Sequence, residues 1–229
     1  MTYDLFIADK TYSSWSLRGW LMFENFGIPA KTHEVGLYSG TFAQDMSPLA
    51  PARQVPVMRT PEGEVVGETL AMAETLHERH PEAGLWPADP AARMRARWLA
   101  SEMHAGFTAL RSACPMNLAR AWQGFQPSQA VLNDLARLET IWADAFARFG
   151  GDGPWLFGRY SLADVFFAPV AGRVAGYGLP VGPQAAAYVA AHLADPAFRR
   201  WRAEGLAQPY VEHPDYMLDL PHGDWPGPA

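Results

Sequence analysis

Along the first eighty positions the hydrophobic pattern switches between two periods. Residues 3–8 form a short apolar run with one early charge, which predicts a buried strand. A polar break covers 9–14. Leu17, Trp20, Leu21 and Glu24 then share one helical face, three of the four apolar, and predict a helix over 15–26. Gly27 and Pro29 end it: glycine suits the left-handed position after a helix, and proline cannot continue one. A weak strand follows at 32–35, then a long Gly-, Ser- and Pro-rich connection over 36–52. Residues 54–58 enter a third strand. A fourth, at 64–66, can pair with it through a turn around Pro61, Glu62 and Gly63. The stretch 69–80 reads as a helix with Leu70, Ala73 and Leu76 on one side and Pro81 as its stop. The order is β-α-β, then β-β-α.

Residues 81–90 contain Pro and Gly and read as a linker. Beyond them the pattern is helical, with helices expected over 91–112, 127–149, 162–175, 184–193 and 196–203. The end, 208–229, is rich in Pro, Asp and His and reads as extended. No internal repeat is evident. The fold class this supports is a small α/β unit, residues 1–81, followed by an all-helical unit, 90–229, with an extended tail.

Composition narrows the function classes. Of 229 residues, 49% are hydrophobic and 18% charged, which is the balance of a core-forming chain. The net charge of -6, with Lys10 and Lys31 the two lysines, argues against a nucleic-acid footprint or a polybasic membrane patch. No run reaches the roughly 18 apolar residues of a membrane span. No basic segment precedes an apolar one at the start, so no signal peptide is expected. Cys114 is the one cysteine and has no intramolecular partner, which fits a reducing compartment. A cytoplasmic protein is the expectation.

Four segments carry candidate chemistry. Thr11-Tyr12-Ser13-Ser14-Trp15-Ser16-Leu17-Arg18 sits between the first strand and first helix. Serine there is a common helix cap. The same hydroxyls lie at the positive end of a helix dipole, where one could donate a hydrogen bond to a bound thiolate and favour its ionisation. Arg53-Gln54-Val55-Pro56 precedes the third strand. A cis Val55–Pro56 bond would turn the Val55 backbone outward, to pair with an extended peptide ligand as a strand does. Glu68-Thr69 opens the next helix: its N–H groups and Thr69 suit a carboxylate, and Glu68 suits an adjacent ammonium. Ser161 and Asp164 have the spacing of a capping box, so Asp164 is assigned to folding.

In order and spacing these segments resemble the glutathione transferase superfamily, across nearly the whole chain. Tyr-Ser-Ser-Trp-Ser-Leu-Arg resembles the Ser-Ser-Cys-x-Trp-Arg motif of the serine-type zeta class, with Trp15 where that class has Cys. Arg-Gln-Val-Pro resembles the strand that carries the family's cis proline, and Ser-Leu-Ala-Asp its helical-domain cap. The resemblance implies a thioredoxin-like N-terminal domain and a helical C-terminal domain. It also implies glutathione bound by Arg53, Gln54, Val55, Glu68 and Thr69, with Ser14 or Ser13 at the sulfur. Counting back from Arg18 favours Ser14 and matching the double serine favours Ser13; both stay open, Ser14 ranked first. The second substrate, a small electrophile, would meet His104, Phe107, Arg111, Asn117 and Arg173, with an arginine holding a carboxylate. A homodimer is implied as well.

The absence of Cys at position 15 weighs against the zeta-class isomerase activity. No Cys-x-x-Cys supports thioredoxin exchange. His77 and His80 are spaced by three, not the four of a zincin helix, and no metal is expected. No Gly-x-Ser-x-Gly elbow is present. The other reading is a member of the same fold that binds glutathione or a protein without catalysis, because fold alone does not confer function.

Overall fold

The fold is described from a computed structural model covering residues 2–37 and 39–228. Strand β1 (Tyr3–Ile7) lies at the centre of a four-stranded sheet of order β2-β1-β3-β4. It pairs in parallel with β2 (Ala30–Glu34) and antiparallel with β3 (Val57–Arg59), which pairs antiparallel with β4 (Val65–Val66). A parallel pair needs a crossover, and helix α1 (Ser14–Glu24) supplies it. The turn at 60–64 closes on the Gly63 N–H to Thr60 carbonyl bond, with Gly63 at φ 100°.

The alternation of β1 decides how the sheet is covered. Tyr3, Leu5 and Ile7 face the main core with Leu17, Leu21 and Met72. Phe6 faces the other way, onto a small cluster of Val35, Met46, Leu49 and Val57. The connection 36–52 is therefore not featureless: it holds α2 (Phe42–Met46) and a 3-10 turn at Ser47–Leu49, which cover that second face. Helix α1 is buried nearly all round because α7 (Leu162–Tyr177) and α9 (Pro196–Ala207) pack on the side that the sheet leaves open. This is why Met22 and Phe23, off the predicted face, are as buried as Leu17. At Gly19 a Cβ would stand 2.7 Å from Pro56 Cβ, so glycine lets α1 lie directly against the segment entering β3.

Helix α3 (Thr69–Arg79) completes the first unit, and a 3-10 turn at Pro81–Ala83 leads out of it. The helices that follow are α4 (Pro90–Ala105), α5 (Thr108–Ala113), α6 (Gln129–Phe149), α7 (Leu162–Tyr177), α8 (Pro183–Ala194) and α9 (Pro196–Ala207). One contiguous core runs from Tyr3 to Trp201 through both units. Helix α7 is its axis, and the capping box at its start is formed: Asp164 accepts from the Ser161 N–H at 2.8 Å and the Ser161 hydroxyl at 2.9 Å.

The sequence pattern predicts one helix over 91–112; the structure breaks it in two. Gly106 is extended and Phe107 is left-handed at φ 55°. The new helix start is capped from outside, because Asp134 of α6 accepts from the Leu110 N–H at 2.9 Å. Arg111 in turn donates to the His104 and Gly106 carbonyls at the end of α4, both at 3.3 Å. No local pattern announces this exchange of caps. The tail also departs from a plain extended strand: it holds a 3-10 turn at Pro214–Tyr216, and its strand β6 (His222–Gly223) pairs antiparallel with β5 (Ala121–Trp122).

Candidate active site

A cleft of about 1350 Å³ opens where the start of α1, the segment before β3 and the start of α3 face α4, α5 and α7. Ser13, Ser14, Arg53, Gln54, Val55, Glu68, Thr69, His104, Arg111 and Arg173 all line it. Phe107 and Asn117 do not. Phe107 is packed in the core as the left-handed residue before α5, and Asn117 is buried behind the cleft wall, its side-chain amide donating to the Tyr216 carbonyl at 3.3 Å.

The two serines are in different situations. Ser13 is the cap of α1: its oxygen accepts from the Ser16 N–H at 3.3 Å and its hydroxyl donates to Ser16 Oγ at 2.8 Å. Ser16 Oγ accepts in turn from the Ala8 N–H at 2.9 Å. The Ser13 hydroxyl proton is thus spent on folding. Ser14 is the first residue of α1, half-buried at the cleft. Its oxygen accepts from Arg173 Nη2 at 3.4 Å, which leaves its own proton free to be donated.

Two arginines without acidic partners, Arg111 and Arg173, line the cleft, and a third, Arg18, is buried behind it, where burial and then repulsion from Arg173 push it well below its ordinary value. Arg173 is 5% exposed, and its Nε and Nη1 donate to the carbonyls of Cys114 and Pro169. Arg18 is 1% exposed, donates to the Phe166 carbonyl at 3.1 Å and leaves Nη1 without a partner. Its guanidinium stacks on Trp15 at 4.3 Å, and that of Arg111 packs on the same ring at 5.0 Å. Among the described residues, no carboxylate pairs with Arg18, Arg111 or Arg173. Burial, then repulsion from Arg111, lowers Arg173 to about 10, still protonated at neutral pH. Trp15, whose role the sequence did not reveal, is the platform that gathers two of these cations.

The opposite wall comes from the first unit. The Val55–Pro56 bond is cis, and Val55 lies outside the β1–β3 register, which begins at Val57. Glu68 holds φ 58° at the head of α3, an outlier for a non-glycine residue. His104 reaches across from α4, with Nδ1 3.4 Å from Thr69 Oγ1 and Nε2 3.7 Å from Glu68 Oε2. His104, expected among the second-substrate residues, makes its polar side-chain contacts with Thr69 and Glu68 of the first unit and also packs near Phe166 of α7.

The tail closes one side. Asp215 and Tyr216 line the cleft, the Tyr12 hydroxyl donates to the Val211 carbonyl at 2.8 Å, and the Tyr12 ring packs on Tyr216 at 4.7 Å. No sequence signal pointed to these contacts. Cys114 is fully buried and burial pushes its thiol up to about 12, so it is no nucleophile. Among the described residues no group of three or more His, Cys, Asp or Glu could hold a metal ion, and no helix is long and apolar enough to cross a membrane.

A thioredoxin-like sheet joined to a helical unit around such a cleft defines the glutathione transferase fold. Residues 12–79 match the family model of the glutathione S-transferase N-terminal domain. Maleylacetoacetate isomerase of Pseudomonas aeruginosa is 32% identical over 162 residues, spanning 66% of this chain and 72% of that protein. A glutathione transferase homologue from a Burkholderia, solved with bound glutathione, superposes with a TM-score of 0.67 at 21% identity, covering 90% of this chain and 99% of that one. Maleylacetoacetate isomerase of Anaeromyxobacter dehalogenans, also solved with glutathione, gives 0.61 at 24% identity, covering 96% and 98%. The chain belongs to the glutathione transferase superfamily and is zeta-like within it.

Proposed function

We propose that this chain is a glutathione-dependent enzyme that ionises the thiol of glutathione at Ser14 and presents it to a small electrophile carrying a carboxylate. The observation that carries this is the division of labour between Ser13, whose proton is spent on Ser16, and Ser14, whose proton is free. The relatives named for isomerising maleylacetoacetate support a glutathione-dependent activity. Glutathione, bound as a substrate, supplies a nucleophilic sulfur that adds to an electrophilic carbon. The addition breaks the π bond of a conjugated C=C and its electron pair moves onto the adjoining carbonyl; uptake of a proton at carbon then gives a conjugate, whereas rotation about the former double bond and expulsion of the thiolate gives an isomer.

The chain's own groups do the rest. The Ser14 hydroxyl donates to the sulfur, and Arg173 polarises that hydroxyl through its oxygen. The start of α1 and the three arginines add positive potential, which lowers a thiol from its ordinary ~8.5. Val55 offers its backbone N–H and C=O to the peptide part of the ligand, while Arg53 and Gln54 lie exposed at the mouth. Thr69 and the α3 N–H groups suit the γ-glutamyl carboxylate, and Glu68 its ammonium. Arg111 and Arg173, free of acidic partners, suit a carboxylate of the electrophile. A homodimer belongs to the same proposal, and sedimentation of the purified protein tests it.

The test is thiolate absorbance on titration with glutathione between about pH 5 and 9. Ionisation at lower pH than free glutathione is expected for wild type and for Ser13→Ala, and is expected to be lost in Ser14→Ala. Binding with no shift in ionisation favours a non-catalytic role. Full activity in both variants rules out serine activation.

A further inference from the structure

Asn117 stands behind the cleft and not in it, yet its side chain reaches the tail segment that closes the cleft on one side. We propose that Asn117 is a positioning residue for the second substrate: its amide ties together the two ends of residues 210–217, and so sets Tyr216 against the group carried on the glutathione sulfur. The inference rests on the glutathione reading above and adds to it a latch and the aromatic ring that the latch holds in place.

The orientation of the amide follows from its neighbours. Asn117 Oδ1 accepts from the Ala119 N–H at 3.1 Å. The nitrogen therefore faces the tail, with two hydrogens to give. It donates to the Tyr210 hydroxyl at 3.4 Å and to the Tyr216 carbonyl at 3.3 Å, with Met217 Sδ at 3.8 Å. The Tyr210 hydroxyl donates in turn to the same sulfur at 3.4 Å. One side chain thus meets both the start and the end of a loop. Asn117 is 3% exposed, so losing these acceptors leaves its amide buried and unpaired instead of hydrated. The base of the latch is fixed as well. The next residue, Leu118, donates its N–H to the Thr11 carbonyl at 3.0 Å, in the stretch that leads into Ser13 and Ser14.

Between the two tied ends, Pro214–Tyr216 makes one 3-10 turn, with the Tyr216 N–H donating to the His213 carbonyl at 2.9 Å. A single such turn has poor internal bonding and needs outside support. The Tyr12 ring gives some, edge-on to His213 at 5.5 Å and tilted against Tyr216 at 4.7 Å. Arg120 packs over Tyr210 at 4.7 Å and pairs with Glu212 at 3.4 Å. Asn117 supplies the hydrogen bond to the Tyr216 backbone itself. Held in this way, Tyr216 lines the cleft and is among the groups whose charge acts on Arg173, which meets Ser14. A substituent on a sulfur bound at Ser14 therefore meets the Tyr216 ring, whereas glutathione alone stops short of it. A ring so placed suits a flat or unsaturated group beside the reacting carbon.

Calorimetric titration of the full chain with two probes tests this. S-methylglutathione fills the glutathione side, and S-benzylglutathione extends a flat ring beyond the sulfur. Tyr216→Ala is expected to weaken S-benzylglutathione about tenfold, as loss of an aromatic contact does, and S-methylglutathione less than about twofold. Asn117→Leu, which removes the amide at similar size, is expected to show the same split between the probes. Asn117→Asp keeps the acceptor for Ala119 and loses the two-hydrogen donor, so it follows Asn117→Leu. In a Tyr216→Ala background Asn117→Leu adds little, because the two act through one contact. Hydrogen exchange at the Tyr216 and Met217 amides is faster in both Asn117 variants than in wild type. Equal losses for the two probes, no loss in Asn117→Leu, wild-type binding in Asn117→Asp, or additive losses in the double variant each overturn the inference and leave the glutathione reading standing. A wild type that binds neither probe overturns both.

Discussion

Arg173 and Ser14 meet across the cleft, guanidinium Nη2 to hydroxyl oxygen at 3.4 Å, the first from the axis of the helical unit and the second from the first turn after the central strand. A buried cation thereby holds the serine with its proton outward. The two residues should act as one unit. Arg173→Lys keeps the charge and loses the planar fork, so thiolate formation is expected to shift to higher pH and kcat/KM to fall ~10–100-fold, a loss of ~1.5–3 kcal/mol. Ser14→Ala combined with Arg173→Lys should shift thiolate formation little further than Ser14→Ala alone. Additive losses in that cycle would separate the two roles.

Arg111 makes a different prediction. Its guanidinium lines the cleft and packs on Trp15, with carbonyls as its hydrogen-bond partners. Arg111→Gln should raise KM for an electrophile bearing a carboxylate by ~10-fold or more, with much less effect on its methyl ester. Steady-state kinetics with the acid and ester pair reads this directly, and an equal effect on both would remove Arg111 from substrate recognition.

Asp164 is fully buried and accepts four hydrogen bonds: from the Ser161 N–H and hydroxyl, the Leu156 N–H and the Tyr188 hydroxyl. Asp164→Ala strands all four donors at the start of the central helix. A loss of ~3–5 kcal/mol in unfolding free energy is expected in denaturant titration. Asp164→Asn, which keeps an acceptor oxygen, should cost less.

His192 sets the acid limit. It is fully buried among Trp155, Tyr160 and Tyr188, and burial lowers its pKa to about 3. Because the folded value is depressed, its stability contribution is intact above the unfolded ~6.5 and is lost as pH falls toward 3. The slope is up to ~1.4 kcal/mol per pH unit. Asp164 works in the opposite sense. Burial raises it to about 6, so its contribution is intact below ~3.8 and is lost as pH rises through 6. Wild-type stability alone would mix the two. The difference between wild type and His192→Phe, measured between about pH 7 and 4, isolates the histidine: wild type should lose ground to the variant as pH falls.

Much of the first unit was legible because its cues are local. The apolar run at β1 and the stop signals after α1 and α3 each act within a few residues of chain, as does the Ser161–Asp164 spacing in the helical unit. The Ser13 and Ser14 alternatives were not separable in sequence, because what distinguishes them is a bond to Ser16 and another to Arg173, one hundred and fifty-nine positions away. The break between α4 and α5 was invisible for a similar reason: Asp134, which caps the new start, belongs to a later helix. Phe107 has the helical spacing of a cleft residue, yet its left-handed backbone turns that spacing into a core position. Tyr216 stands in a stretch whose composition says only that it is not helical.

The tail is fastened at two places, to Tyr12 at the cleft and through the short β5–β6 ribbon, yet none of residues 208–228 is fully buried. Packing holds the tail only in part, through Met217, Leu218, Leu220 and Trp225 against the core, while Asp215 and Tyr216 line the cleft. A change confined to this hem can therefore reshape one wall of the cleft while the start of α1, with Ser14, keeps its place.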